Sequence, residues 1–277
     1  MEKYINRYLG YLKLRGCAEN TIISYRSQVK VFVEELGDRK RIKLSDITAI
    51  MEKKKWNYPA IYQFIKGSTG FVDFLIQEGR LKENPLIHFH LKAKERKAYL
   101  IFSEEDIRQI LMVSEKNMGF EKNLVIRLLV ETGARCNEIF NILVKNIDLE
   151  KRSIYLVITK GSRPRFVFFG TKTAELLAEY IPQIKTERLF GKWKNFSIIG
   201  KTVEKTVGVA FPFDIEKRKA TPHTFRHTFV TRWVKKNGNL GVLKDIMGWR
   251  NLNMLDTYAN LRVDTLNDEY KKMQGGE

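Results

Sequence analysis

The sequence predicts a mainly α-helical protein in two parts, with one small antiparallel β-sheet in the second part. Apolar residues recur at helical spacing along most of the chain. Only the stretches 153–158 and 165–169 are rich in β-branched and aromatic residues, and a short Gly- and Pro-containing stretch joins them, which is typical of a hairpin. A charged stretch without helix-period apolar residues, 92–98, predicts a linker between residues 1–91 and 99–277.

The composition favours a polyanionic partner. The 277 residues include 50 Lys and Arg against 32 Asp and Glu, a formal net charge of +18. Each Lys or Arg set against a phosphate releases condensed counterions, so nucleic acid is the first candidate and an anionic membrane surface the second. The membrane is disfavoured because no apolar run approaches the roughly 18 residues of a spanning helix, and no signal-peptide pattern is visible. We therefore expect an intracellular, cytoplasmic protein.

The first part reads as a small helical domain. Apolar stripes predict helices over 4–12, 21–36, 45–50 and 61–75, with Thr21 and Ser45 as N-caps. Basic residues cluster where the second and third helices end, and we expect them to contact the phosphates of a bound duplex: Arg39, Lys40, Arg41, Lys53, Lys54 and Lys55. The alternative is that such charges only solvate helix faces.

The second part opens with a start of the capping-box type at 103–106 and continues with a strongly apolar helix over 123–131. Gly133 then allows the left-handed conformation that ends many helices. A further helix is predicted over 134–143, where Arg135 and Glu138 lie three residues apart, close enough for the carboxylate to hold the guanidinium. An ordinary surface ion pair is the alternative. Lys160 and Arg163 lie at the tip of the predicted hairpin, where they are either ligand contacts or generic tip charges.

Helices are predicted next over 173–180 and 198–209, and another begins at Thr221, a good N-cap followed by Pro222. His223 and Arg226 share one face of its first turn, where free amide hydrogens and the helix dipole favour an anion. A solvated helix cap is the alternative. A short helix over 240–247 is ended by Gly248, and a last one over 253–261 carries Tyr258.

Six residues, taken in order, form a set that resembles the one found in the tyrosine recombinase family of phage integrases and Xer-type resolvases: Arg135, Lys160, His223, Arg226, Trp249 and Tyr258. Many family members carry His at the position of Trp249, whose indole can donate one hydrogen bond but cannot shuttle a proton. The resemblance implies a helical core-binding (SAM-like) DNA-binding domain at 1–91 and a catalytic domain at 99–277.

The resemblance also implies a mechanism that needs no metal, ATP or other cofactor. Tyr258 would attack a phosphodiester to form a covalent 3′-phosphotyrosine, which the hydroxyl of another strand can reverse. Arg135 and Arg226 would hold the nonbridging oxygens, with hydrogen bonds from His223 and Trp249. Because a phenol has an unperturbed pKa near 10, His223 is the expected proton acceptor, and Lys160 would protonate the leaving oxygen. We expect Glu138 and His227 to support these side chains.

Family members work as tetramers on two double-stranded DNA sites, commonly with the C-terminal segment docked on a neighbouring subunit. Three apolar residues near the end of this chain are candidates for that contact: Leu266, Tyr270 and Met273. Packing on the same subunit is the alternative. The function implied is Xer-like dimer resolution or the integration and excision of a mobile element.

Other functions fit the sequence less well. His223 and His227 have the spacing of a zinc-protease motif, but Thr224 occupies the position of its catalytic Glu, so we expect no metal site. Gly200 lacks the Gly that a phosphate-binding loop needs five residues earlier, since Asn195 is there. Two alternatives stay open, namely a DNA-binding protein without catalysis and a type IB topoisomerase-like enzyme that relaxes DNA.

Overall fold

A computed structural model describes residues 1–89, 99–157 and 163–251. The chain divides into two compact units, Met1–Arg96 and Lys97–Glu277, and each has its own hydrophobic core. The predicted linker 92–98 and the predicted helix 253–261 lie outside the described residues. The DNA-binding role of residues 1–91 and the catalytic role of residues 99–277 stay predictions.

The first unit is helical, as the apolar stripes predict. Its helices are α1 (Glu2–Leu14), α2 (Glu19–Leu36), α3 (Leu44–Lys54) and α4 (Tyr58–Gln77). Helix α2 packs against both α1 and α4. Aromatic rings fill the core between them, with the ring centroid of Phe71 5.3 Å from that of Tyr8 and 6.0 Å from that of Phe32.

Two predicted N-caps in this unit are wrong. Helix α2 begins at Glu19 after the extended Ala18, so Thr21 lies inside the helix. Helix α3 begins at Leu44, and its start is capped from within, because the Asp46 carboxylate accepts the Lys43 backbone N–H at 2.8 Å. A carboxylate in the first turn satisfies a donor there as well as a preceding Ser or Thr does, so the hydroxyl residues alone were a misleading signal.

The second unit is built around one buried helix. Its helices are α5 (Glu104–Asn117), α6 (Phe120–Thr132), α7 (Cys136–Phe140), α8 (Thr171–Tyr180), α9 (Ser197–Ala210), α10 (Pro222–Lys235) and α11 (Leu240–Met247). Helix α6 packs against α5, α8, α9 and α10, and Leu124, Val125 and Leu128 are fully buried. Every residue from 123 to 130 is buried, so this part of the helix has the core on all its sides. The end of α6 therefore lies at a fixed place in the unit.

The predicted hairpin is present, and a third strand extends it. The strands are β1 (Ile147–Asp148), β2 (Ser153–Leu156) and β3 (Arg165–Phe168), antiparallel and in the order β1-β2-β3. Ile154 faces Val167 on the buried side, whereas Tyr155 and Phe166 pair on the exposed side. The two-residue β1 was missed because so short a strand has no periodicity. Arg165 lies on the buried side of β3, an unusual place for a charged residue.

Helix boundaries in this unit agree with most of the local signals. Ser103 and Asp106 form the predicted capping box, with reciprocal hydrogen bonds of 2.9 and 3.1 Å. Thr221 precedes α10 and Pro222 is its first residue, as predicted. The helix predicted over 134–143 is shorter, because α7 ends at Phe140. Within the described ranges, no helix is both long and apolar enough to cross a membrane.

Gly133 ends α6 with a φ of +59°, and a Cβ placed there would lie 2.9 Å from Cγ of Phe229. We expect Gly133→Ala to lower the free energy of unfolding by about 2 kcal/mol, through backbone strain and displacement of the Phe229 ring. Gly200→Ala is the matched control, since Gly200 lies inside α9 with open space around it. The control should gain up to about 1 kcal/mol. Urea unfolding of both variants tests this, and equal shifts in the two would contradict it.

Candidate active site

The turn after α6 brings the first candidate residue into position. Gly133 in its left-handed conformation ends the helix, and the chain turns at once into α7. The Thr132 hydroxyl accepts the Ala134 backbone N–H at 3.1 Å, which holds this turn closed. Arg135 is the N-cap residue of α7, so its side chain leaves the backbone at a fixed point next to the core.

Glu138 holds Arg135, as the spacing predicts. One carboxylate oxygen accepts the Arg135 backbone N–H at 2.8 Å, and the other accepts Nη1 of its guanidinium at 3.0 Å. The Arg135 side chain is 28% exposed, whereas that of Glu138 is only 1% exposed. The guanidinium is thus anchored from the buried side while part of it still faces solvent.

Arg165 is a second partner of Glu138 and was missed by the sequence analysis. Its Nη1 and Nη2 donate to the two Glu138 oxygens at 3.0 and 2.8 Å, and its Nε donates to the carbonyl of Ile246 at 2.5 Å. The only available signal was a charged residue at an inward position of a strand. The Glu138–Arg165 pair joins α7, β3 and the end of α11.

The charge of Glu138 is retained despite its burial. Burial alone raises the pKa of this carboxyl, but the hydrogen bonds and charge of Arg165, together with Arg135, outweigh it and hold the pKa below its ordinary value. The carboxylate is therefore ionised at neutral pH and can orient the Arg135 guanidinium by a charge-assisted hydrogen bond.

Arg226 is buried and held by two helix ends. Its side chain projects from the first turns of α10, and the residue is 7% exposed. Nη1 donates to the carbonyl of Gly133 at 2.8 Å and Nη2 to the carbonyl of Met247 at 2.9 Å. The last carbonyls of a helix have no partner within the helix, so the guanidinium satisfies acceptors at the ends of both α6 and α11. These bonds place Arg226 beside the turn that carries Arg135.

The two candidate histidines lie four residues apart on α10 and are both surrounded by positive charge. Burial, followed by the charges of Arg226 and Arg135, lowers the pKa of His223. Burial, followed by His223 and Arg226, lowers the pKa of His227 to about 4. Both imidazoles are thus neutral at neutral pH, and a neutral imidazole can accept a proton.

Trp249 follows Gly248, whose φ of +65° ends α11 in the left-handed conformation that the sequence predicts. The indole is 8% exposed and packs into the core. It also lines a groove of about 420 Å³ between the start of β3 and α11, together with Arg163, Lys244 and Asp245. A buried indole at the wall of a basic groove keeps a fixed orientation for its single N–H donor.

Two of the six candidate catalytic residues, Lys160 and Tyr258, lie outside the described residues, as do Leu266, Tyr270 and Met273. The structure thus brings together Arg135, His223 and Arg226, and the Met247 carbonyl that Arg226 binds lies two residues before Trp249. In the described ranges no three His, Cys, Asp or Glu side chains are grouped so that they could hold a metal ion.

The candidate DNA-binding residues of the first unit lie at its surface, mostly beside carboxylates. Arg39 pairs with Asp46 at 2.7 Å, Arg41 with Glu83 at 3.5 Å, and both Lys53 and Lys54 pair with Glu35 at 2.7 and 2.9 Å. Lys40 and Lys55 are exposed. Exposed ion pairs contribute at most about 1 kcal/mol, so a phosphate can replace the carboxylate as the partner of these cations.

We expect Arg165→Leu to lower the free energy of unfolding by about 3–5 kcal/mol, because it leaves the buried Glu138 with Arg135 alone. Lys151→Ala is the control, since it breaks an exposed pair with Asp148 at 3.8 Å and should change stability by less than about 1 kcal/mol. The double variant Glu138→Leu/Arg165→Leu should lose less than the two single losses added together. Chemical denaturation measures the stability of Arg165→Leu, Glu138→Leu, the double variant and Lys151→Ala. An Arg165→Leu loss as small as that of Lys151→Ala would disprove the role of Arg165 as the partner of Glu138.

Comparison with known proteins identifies the family. The sequence profile of the phage integrase family matches residues 101–264. Tyrosine recombinase XerC of Anoxybacillus flavithermus is 25% identical over 287 aligned residues, which cover 96% of this chain and 95% of the relative. Tyrosine recombinase XerA of Saccharolobus solfataricus is 28% identical over 285 aligned residues, which cover 96% and 91%.

Solved structures share the fold. The Tn1549 transposon integrase in complex with transposon right end DNA matches with a TM-score of 0.76 and 20% identity over 98% of this chain and 99% of that chain. A lambda integrase tetramer bound to a Holliday junction matches with a TM-score of 0.73 and 16% identity over 90% and 77%. Since the family profile spans more than half of the chain, the protein belongs to the phage integrase family, the tyrosine recombinases, which are DNA strand-exchange enzymes.

Proposed function

We propose that this protein is a site-specific DNA recombinase that cleaves and rejoins double-stranded DNA through a covalent 3′-phosphotyrosine on Tyr258. The observation that carries the proposal is the pair of anchored guanidiniums, Arg135 and Arg226, whose charges both act on His223. Two fixed positive charges beside a neutral imidazole suit a phosphodiester, whose charge increases as a nucleophile attacks.

The geometry supports distinct roles for the anchored groups. Arg226 is held by two carbonyls and Arg135 by a buried carboxylate, so neither has to reorganise when a phosphate arrives. Burial and then the same charges lower the pKa of His223, and this neutral imidazole is the group we assign to accept the Tyr258 proton. Attack on phosphorus forms the phosphotyrosine bond and breaks the bond from phosphorus to the 5′ oxygen. Lys160 would protonate this oxygen as it leaves, which gives a free 5′-hydroxyl. Trp249 contributes one N–H to a phosphate oxygen.

The linkage keeps the energy of the broken phosphodiester, so the hydroxyl of another strand can attack it and release the tyrosine. This reversal joins new partners without ATP and without any cofactor. His227 and Glu138 act by supporting His223 and Arg135. Xer-like dimer resolution and the integration or excision of a mobile element both use this same chemistry, so the proposed function covers both.

The partner assigned to the site is duplex DNA. The net charge of +18 supports this partner, and the Tn1549 and lambda integrases are solved on DNA. We assign residues 1–91 as the core-binding domain, residues 99–277 as the catalytic domain, and contacts with phosphate to the basic residues of the first unit and to Arg163. Because the proposed substrate is DNA, we predict that the protein acts in the cytoplasm.

We expect the protein to form a covalent adduct with DNA on Tyr258 when it is incubated with genomic DNA of its source organism and quenched in detergent. Tyr258→Phe should bind the DNA equally well and form no adduct, because it lacks the nucleophilic hydroxyl. Tyr62→Phe, at an exposed tyrosine of α4, is the control and should form the adduct as the native protein does. Mass spectrometry of the digested protein locates the attached nucleotide. Tight DNA binding without an adduct on the native protein would instead support a non-catalytic DNA-binding protein.

We further expect the recombinase to assemble as a tetramer on two DNA sites, with Leu266, Tyr270 and Met273 of one subunit docked on the next. Removal of residues 265–277 should abolish cooperative binding to paired sites and strand exchange between two duplexes, while single-site binding remains. Replacement of Leu266, Tyr270 and Met273 by Ser should have the same effect. Replacement of the neighbouring Lys271 and Lys272 by Ser is the control and should not. Gel-shift titration measures the cooperative binding, and a two-duplex assay measures strand exchange. Unchanged cooperativity after the deletion would contradict the proposed docking of the C-terminal segment.

A further inference from the structure

The segment that opens the second unit runs along helix α10. The backbone N–H of Phe102 donates to the Thr228 hydroxyl at 3.1 Å, in the buried core. Glu104 accepts from Nε and Nη2 of Arg232 at 2.8 and 2.9 Å, one turn further along the helix. The start of the unit is therefore attached to α10 at successive points from Thr228 to Arg232.

A further attachment, one residue earlier on α10, is an aromatic stack at His227, next to the candidate active site. The Tyr99 ring lies on the His227 imidazole with 3.8 Å between ring centroids and 20° between ring planes. Tyr99 is 44% exposed, so its ring covers the imidazole from the solvent side and is not itself part of the core. A planar contact this close restricts rotation of the imidazole about its side-chain bonds.

His227 is adjacent in sequence to Arg226 and one helical turn after His223, on the same face of α10. Burial, His223 and Arg226 all lower its pKa, so the three groups are close enough that a displaced or protonated His227 would in turn act on His223 and Arg226. A second imidazole free to rotate beside His223 would compete for the same phosphate oxygens and the same proton. The stack on Tyr99 holds it in one orientation.

We propose that Tyr99 is a positioning residue of the recombinase, whose ring holds His227 stacked and so keeps His223 and Arg226 in the geometry required for attack on the phosphodiester. The inference rests on the proposed function. As a positioning residue, Tyr99 acts through His227, on which its ring is stacked.

The test compares Tyr99→Leu, which removes the ring, with Tyr99→Phe, which keeps it. Phe213→Leu is the matched control, because Phe213 is an aromatic residue of the same unit that is 97% exposed. Single-turnover formation of the Tyr258 adduct is measured at saturating DNA, with the dissociation constant for the same DNA measured separately. Tyr99→Leu should slow adduct formation about tenfold, since small misplacements of catalytic groups carry costs of this order and above. The dissociation constant should stay within about twofold, as it does when only the chemical step is affected.

Nuclear magnetic resonance of the DNA-free protein tests the stack itself. The chain has four histidines, so labelling one ring carbon of each imidazole gives four signals. The signal that disappears in His227→Gln is that of His227. In the native protein and in Tyr99→Phe, the His227 signal should be shifted upfield by the neighbouring ring. In Tyr99→Leu it should move downfield, while thermal unfolding remains cooperative.

The outcomes separate this inference from the proposed function. A native protein that forms the adduct, with Tyr99→Leu equally fast, would overturn the positioning role. Equal slowing in Tyr99→Phe and Tyr99→Leu would also overturn it, because the hydroxyl and not the stack would then be responsible. A native protein without any adduct would defeat the proposed function, and the positioning role with it, whatever the magnetic resonance spectrum shows.

Discussion

The buried carboxylate of Glu138 is the interaction on which the site depends. It lies between two guanidiniums, that of Arg165 on the buried side and that of Arg135 towards solvent. A charge without partners is costly inside a protein, so the carboxylate requires both the strand that carries Arg165 and the turn that carries Arg135. Glu138 thereby links the sheet to α7, and Arg165, whose Nε donates to the carbonyl of Ile246, links both to α11.

Helix ends provide the second half of the framework. The carbonyls of Gly133 and Met247 stand where α6 and α11 end, and both accept from Arg226. Gly133 and Gly248, both in the left-handed conformation, are the C-cap residues of α6 and α11. The chain can therefore turn sharply at each helix end while the last carbonyls stay directed at the guanidinium. Arg226 is thus both a structural crosslink and a candidate phosphate ligand. The rigidity that makes it suitable for binding a phosphate comes from bonds to the backbone.

Positive charge has a chemical consequence for the histidines. Arg135 and Arg226 attract an anion, and their charges add to the effect of burial, which is the main cause of the lowered pKa of His223. The groups that favour phosphate binding therefore also keep the neighbouring base unprotonated before the phosphate arrives. His227 is subject to the same field and is covered by Tyr99. In the proposed mechanism, a fixed arrangement of cations around neutral imidazoles replaces the role that a metal ion has in other phosphodiester chemistry.

Local patterns in the sequence determined much of this protein. Helical periodicity, the caps at Ser103 and Thr221, the left-handed glycines and the hairpin were readable, because each depends on residues a few positions apart. The contact of Arg135 with Glu138 was also within reach, at a spacing of three. Only the tertiary structure decided that Arg165 completes the Glu138 pair, that Arg226 binds the end of α6, and that Tyr99 covers His227. These partners lie 27, 93 and 128 residues apart in the sequence, so only the packing of α6, α10 and the sheet around one core brings them together.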